Sequence, residues 1–73
     1  MGHSMRVRWE DGFEIRTAID GDEVVLSANR QGMLSLANIF RDLAEESPGA
    51  HIHLDECNSL EDGSCELIIV RVE

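Results

Sequence analysis

The chain has 73 residues, of which 42% are hydrophobic, which is enough for one small core but not for a deep substrate pocket as well. Fifteen acidic residues against six basic ones give a formal net charge of −9, so a phosphate backbone or an anionic membrane would be repelled. The composition therefore disfavours an enzyme, a nucleic-acid binder and a membrane-surface protein. It favours a module that binds a basic protein, and the alternative is a self-associating structural domain of no separate activity whose acidity serves only solubility.

The sequence predicts one cytoplasmic domain. No apolar run approaches the roughly 18 residues that a membrane span needs, and no signal peptide is recognisable. The two cysteines, Cys57 and Cys65, form no CxxC motif, and in the cytoplasm we expect them to be reduced. Residues 1–4 are interpreted as an expression remnant, and residues 5–73 as a single domain.

The first third of the domain alternates between apolar and polar residues in three stretches. These are residues 5–9, residues 13–19 and residues 23–28, and such alternation is typical of half-buried strands. Short turns at Gly12 and Gly21 separate the stretches. The pattern therefore predicts three strands in an antiparallel meander.

A helix is predicted over residues 30–46, with Asn29 as its N-cap. Its spacing of i, i+3 and i+4 predicts a face that packs on the sheet, formed by Met33, Leu36, Ala37, Phe40, Leu43 and Ala44. Leu34 and Ile39 widen this apolar arc, so a flank of the helix is expected to be covered as well. The opposite side is expected to carry Gln31, Ser35, Asn38, Asp42, Glu45 and Glu46. Gly32 costs a helix about 1 kcal/mol relative to alanine, and a close approach of the helix to a strand would explain it.

Two more strands are predicted after the Ser-Pro-Gly sequence that ends the helix. In the first, residues 50–55, Ile52 and Leu54 should face the core. In the second, residues 65–72, four consecutive apolar residues predict a central strand buried on both faces.

The predicted fold is α+β: an antiparallel-rich sheet of about five strands with one helix packed on one face, in the order β-β-β-α-β-β. One helix covers only one face of such a sheet. We expect the other face, with Trp9, Val25 and alternate residues of the last strand, to be a homodimer or partner interface.

Three polar side chains share one face of the strand over residues 50–55. His51, His53 and Asp55 form a candidate metal half-site, which Cys57 could extend. A zinc site needs about four ligands, and the alternative is a solvated strand face. Cys57 with either histidine lacks a pocket and an orienting group, so we predict no catalytic residue, no enzyme activity and no cofactor.

Acidic residues concentrate in the loop over residues 56–64 and on the outer side of the helix. The candidate partner-binding residues are Asp55, Glu56, Glu61, Asp62, Asn38, Asp42 and Glu45. Opposite charge speeds the encounter with a basic protein. The alternative is an ordinary solvated turn, since Asn-Ser and Asp-Gly pairs are common in loops.

Two blocks of sequence resemble a known family. The helix begins N-x-x-G at Asn29 and continues with the Leu-Ala pairs at Leu36 and Leu43; the second block reads HIHLD from His51, LEDGS from Leu60 and ELII from Glu66. Together they resemble the immunity protein 32 family of bacterial polymorphic toxin systems, over residues 24–72. The resemblance implies a small α+β intracellular protein that binds and neutralises a cognate toxin. It implies no set of toxin-contacting residues.

Overall fold

The computed structural model describes residues 6–73 and contains, within them, four strands and one helix. In chain order these are β1 (Ile15–Asp20), β2 (Glu23–Ala28), α1 (Arg30–Ala44), β3 (His51–Leu54) and β4 (Leu67–Val70). The strands form two separate antiparallel ribbons, β1 with β2 and β3 with β4. The interpretation of residues 1–4, and the Met5 start of the first predicted strand, lie outside the described residues.

The α+β class is confirmed, but the single five-stranded sheet is wrong. Residues 6–9 form no strand; they run beside the helix, where Asn38 Nδ2 donates to the carbonyl of Arg8 at 2.8 Å. Trp9 is not on a bare sheet face either, because it packs against the core and stacks on Phe13 with ring centroids 4.5 Å apart. Helix side chains therefore satisfy polar groups that a neighbouring strand would satisfy in a meander.

The connection between β3 and β4 is here called the acidic loop (residues 55–66). It lies along the edge of β1, where another strand would pair if the sheet were continuous as predicted. The Glu61 N–H donates to the carbonyl of Ile15 at 2.9 Å, and the Thr17 N–H donates to Ser64 Oγ at 3.1 Å. The loop thus borders β1, and among the described residues β4 pairs with β3 alone. The prediction of a central strand is wrong as a result, and Ile68 and Val70 are about half exposed.

The helix begins as predicted. Asn29 caps it, with its side-chain oxygen accepting the Gly32 N–H at 2.7 Å and the Glu14 N–H at 3.0 Å. A β-carbon added at Gly32 would lie 2.9 Å from the β-carbon of Ala28 and closer still to the carbonyl oxygen of Glu14. The close approach expected from the sequence is therefore present, and it tightens the junction between β2 and α1.

The buried face of the helix is rotated relative to the prediction. Its buried residues are Gly32, Ser35, Leu36, Ile39 and Leu43. Met33 and Phe40, expected inside, are about half exposed, whereas Ser35, expected outside, is fully buried. The N-terminal segment (residues 6–13) covers the flank that carries Ser35, Asn38 and Asp42, and this covering decides which side of the helix is inside.

The core lies between the helix and the inner faces of both ribbons. Its buried apolar members are Ile15, Leu36, Ile39, Leu43, Leu54 and Leu60. Ile52 also packs against this cluster, so the inward orientation predicted for Ile52 and Leu54 is confirmed. Leu60 anchors the acidic loop from beneath, which fixes the position of the polar residues around it.

Candidate partner-binding surface

Asp55 holds the first turn of the acidic loop. Its Oδ1 accepts the N–H groups of Cys57 at 2.9 Å and Asn58 at 3.1 Å. Its own N–H donates to Asn58 Oδ1 at 3.0 Å, and Asn58 Nδ2 donates to the carbonyl of His53 at 3.0 Å. Short polar side chains commonly replace backbone partners in this way. Asp55 therefore has a structural function in the loop.

Glu56 closes the other end of the loop. Its Oε2 accepts the N–H of Gly63 at 2.5 Å. Gly63 has a φ of 88°, a left-handed conformation that glycine adopts without steric cost. Glu56 is exposed to solvent, so its negative charge remains available to a partner.

Glu61 and Asp62 lie beside β1. The Glu61 N–H is bonded to Ile15, and Arg16 Nη1 donates to the carbonyl of Asp62 at 3.0 Å. Asp62 is exposed, and Glu61 is half-buried. Backbone groups, and not the two carboxylates, hold this part of the loop in place. The two carboxylates are therefore not engaged by the contacts that order the loop.

A surface cleft next to Glu61 joins the acidic loop to the first ribbon. It has a volume of about 240 Å³ and is lined by Glu14, Ile15, Arg16, Ser27, Ala28, Asn29 and Glu61. Two carboxylates at one cleft are suited to an arginine or lysine side chain. Sequence reasoning missed Glu14 and Arg16, because the only local signal was that they share the polar face of a strand.

The helix residues of the predicted set are placed differently. Asp42 Oδ1 contacts Arg8 Nη2 at 3.0 Å, and Asn38 binds the backbone at Arg8. Both contacts are with the N-terminal segment of the same chain. Glu45, which follows the last residue of α1, is exposed. Glu45, Glu56 and Asp62 are thus exposed to solvent, whereas Asn38 and Asp42 are bonded to the N-terminal segment.

His51 and His53 are neighbours on the exposed face of β3. Their ring centroids are 5.2 Å apart, His51 Nδ1 lies 3.1 Å from the carbonyl of Gly49, and His53 Nδ1 lies 3.1 Å from Glu66 Oε2. The Oδ1 of Asp55 already accepts the N–H groups of Cys57 and Asn58. Within residues 6–73, no three histidine, cysteine or acidic side chains come together as a ligand set.

Both cysteines carry free thiols. Cys57 is exposed, and Cys65 is partly buried. Cys65 Sγ lies 3.4 Å from Thr17 Oγ1, whose own hydroxyl donates to the Cys65 carbonyl. Cys65 therefore serves as a contact between the acidic loop and β1.

Comparison with known proteins identifies one family. The family model described as immunity protein 32 matches residues 23–72, a range that contains β2, the helix, His51, His53 and the whole acidic loop. No curated protein and no solved structure matches the chain. In the part of the chain that the structure describes, α1 is too short and too polar to cross a membrane.

Proposed function

Because the chain belongs to the immunity protein 32 family, we propose that it is an immunity protein that binds a cognate toxin in the bacterial cytoplasm and blocks its activity. The family match over residues 23–72 is the observation that carries this proposal. The chain acts by occupying a surface of the toxin and catalyses no reaction. The free thiols of Cys57 and Cys65 are in keeping with a reducing compartment.

The proposed toxin is a basic protein that docks on the acidic loop. Glu56, Glu61 and Asp62 present their charges from this loop, and Glu14 adds a fourth carboxylate at the adjoining cleft. A net charge of −9 steers a basic partner toward the chain. The same charge disfavours nucleic acids and anionic membranes as partners.

The loop is suited to binding because it is already ordered. The carboxylates of Asp55 and Glu56 accept backbone N–H groups that close its two ends, and Leu60 is buried beneath it. A surface that is fixed before binding loses little conformational entropy when a partner docks. Glu45 is assigned to the rim of the interface. Asn38 and Asp42 are not assigned to it, because they bind the N-terminal segment of the same chain.

The experiment that tests the proposal starts from capture of the toxin. The immobilised chain is incubated with lysate of its source cells at about 0.05 M and about 0.5 M salt, and retained proteins are identified by mass. We expect a basic protein that is retained at low salt only. That protein is then expressed alone and together with the chain.

Neutralisation is the decisive result. Expression of the captured protein alone should stop growth, and coexpression of the chain should restore it. A captured protein that is harmless, or whose toxicity persists in the presence of the chain, contradicts the proposal. Lysozyme, a basic protein without relation to the system, serves as the control for attraction by charge alone.

A further inference from the structure

The outer edge of β2 presents backbone groups that no strand of residues 6–73 pairs with. The Asn29 N–H donates to the Glu14 carbonyl, and hydrogen-bonded pairs alternate along an antiparallel ladder. The hydrogen bonds of β1 agree with this alternation, because the backbone groups of Ile15 and Thr17 bind the acidic loop on the side away from β2. In the register of the ribbon, Val24, Leu26 and Ala28 therefore direct their N–H and C=O groups away from β1.

No strand of the described part of the chain covers this edge. Three consecutive side chains along it are apolar and exposed: Val24 by 73%, Val25 by 40% and Leu26 by 39%. Edge strands normally avoid pairing through charges, proline or a bulge. Here the only charge within β2 is Glu23 at its first residue, so the edge is a template for another strand.

The exposed apolar surface continues from the core. On the ribbon face that carries Ile15 and Thr17, both buried, the next cross-strand pair is Ile19 with Val24. Ile19 is 69% exposed. The helix thus covers this face at one end of the ribbon and leaves it bare at the other, beside the open edge of β2.

We propose that a second copy of this chain pairs with β2 edge to edge, antiparallel, about a two-fold axis that passes between the two Leu26 residues. This register places Val24 of one copy opposite Ala28 of the other, so the outward backbone groups of both strands are satisfied. A two-fold axis normal to the sheet keeps equivalent faces on one side. The exposed Leu26 side chains then pack against each other.

Local charge complementarity supports a second copy as the occupant. The hairpin turn at one end of β2 carries Asp20, Asp22 and Glu23, and the opposite end is followed by the exposed Arg30. Antiparallel pairing in the proposed register brings Asp22 of each copy to Arg30 of the other. Each end of the paired strands therefore joins unlike charges.

The overall charge limits the strength of the dimer and gives it a diagnostic salt dependence. Two copies that each carry −9 repel one another, and salt screens this repulsion beyond about 8 Å at physiological strength. A single strand edge also buries less than the roughly 800 Å² per partner of a standard interface. We expect a weak dimer that salt strengthens, whereas toxin binding on the acidic loop is weakened by salt.

The dimer does not depend on the proposed function, because it uses the edge of β2 and not the acidic loop. It is tested by sedimentation velocity of the purified chain over about 1–500 µM, a range chosen to include weak association, at low and high salt. A monomer–dimer equilibrium that becomes tighter at high salt is expected. A chain that stays monomeric at every concentration overturns the proposal.

Leu26→Pro tests the edge itself. The Leu26 N–H points outward, so proline removes a donor from the dimer ladder and leaves the Val25 and Ser27 donors to β1. We expect at least a tenfold weaker dimer with an unchanged circular dichroism spectrum. If the Leu26→Pro variant dimerises as strongly as the unchanged chain, the proposal is overturned. It is also overturned if the unchanged chain is monomeric and Leu26→Pro abolishes toxin neutralisation, because the edge of β2 would then bind the toxin.

A charge swap tests the register without a backbone change. Asp22→Lys and Arg30→Glu should each weaken the dimer several-fold, and the double variant should recover it. Asp22 and Arg30 of one chain lie at opposite ends of β2, so recovery requires antiparallel pairing of two copies. Arg41→Glu, on the exposed side of the helix, is the charge-matched control for Arg30→Glu. If the double variant loses as much dimerisation free energy as the two single variants lose together, the proposed register is overturned.

Discussion

Ser35 Oγ accepts the backbone N–H of Glu10 at 2.8 Å and donates to the carbonyl of Gln31 at 2.9 Å. This one hydroxyl joins the N-terminal segment to the middle of α1, and the serine that provides it is fully buried. The segment is thereby held over the flank that also carries Asn38 and Asp42. The orientation of the helix and the course of residues 6–13 are consequently coupled.

Ser35→Ala should destabilise the protein although alanine is the better helix former. The change leaves the Glu10 N–H without its partner in a partly buried position, which costs about 1–3 kcal/mol. The free energy of unfolding from urea denaturation measures the loss. Ser47→Ala, at an exposed serine after the helix, should stay within about 0.5 kcal/mol; equal effects at both positions would refute the role assigned to Ser35.

Gly32→Ala should also destabilise the protein, against the intrinsic preference of helices. Alanine would gain about 1 kcal/mol in a free helix, but its β-carbon would clash with the Glu14 carbonyl and the Ala28 side chain. We expect a lower midpoint of thermal unfolding. In a synthetic peptide of residues 28–46 the same change should raise helicity by circular dichroism, and a stabilised full-length variant would contradict the close approach.

Asp55 and Asp62 should separate stability from binding. Asp55→Ala removes the acceptor of two loop N–H groups and should cost about 1–2 kcal/mol of stability. Asp62→Ala removes an exposed carboxylate and should leave stability within about 0.5 kcal/mol while slowing toxin association. Urea denaturation and surface plasmon resonance give the two readouts, and a stable Asp55→Ala variant would be the contrary result.

Charge reversal on the acidic loop should slow association with the toxin. Replacing Glu56, Glu61 and Asp62 with lysine, at two charges each, takes the formal net charge from −9 to −3. The association rate at low salt should fall by about tenfold or more, because steering depends on the local field. Stopped-flow mixing with the captured toxin measures the rate.

The matched control for this triple variant makes the same change in net charge at residues outside the acidic loop. Asp11, Glu23 and Glu73 are exposed residues outside the acidic loop, and their replacement with lysine also gives −3. We expect a clearly smaller decrease in the association rate. Equal slowing by both triple variants would assign the effect to net charge and remove the acidic loop from the interface.

Zinc should leave the stability of the protein unchanged. His51 and His53 lack a third ligand in the described part of the chain, since the Asp55 Oδ1 is bonded to the loop backbone. A native-state metal site would raise the melting temperature at excess metal. We expect no rise in a thermal titration with zinc under reducing conditions. A rise that His51→Ala and His53→Ala both abolish would establish the metal site instead.

The sequence by itself determined the local elements. Periodicity and turn residues placed β1, β2, α1 and β3 close to their observed bounds, and Asn29 marked the start of the helix because its side-chain oxygen satisfies the first free N–H groups. Motifs near Gly32, His51 and Gly63 carried the family resemblance. All of these signals act between residues that are near in the chain, so a single sequence contains them.

Only the tertiary structure decided how these elements pair and which surfaces remain open. The apolar run at Leu67 to Val70 reads as a central strand, yet the acidic loop occupies the edge of β1 and β4 pairs with β3 alone. The spacing of apolar residues along a helix shows which of its faces is apolar, but it does not show which neighbouring segment covers that face. Because the N-terminal segment satisfies its backbone through Ser35 and Asn38, it covers the polar flank and leaves Met33 and Phe40 exposed. Such choices depend on contacts between residues some 25–50 positions apart, which periodicity along the chain does not record.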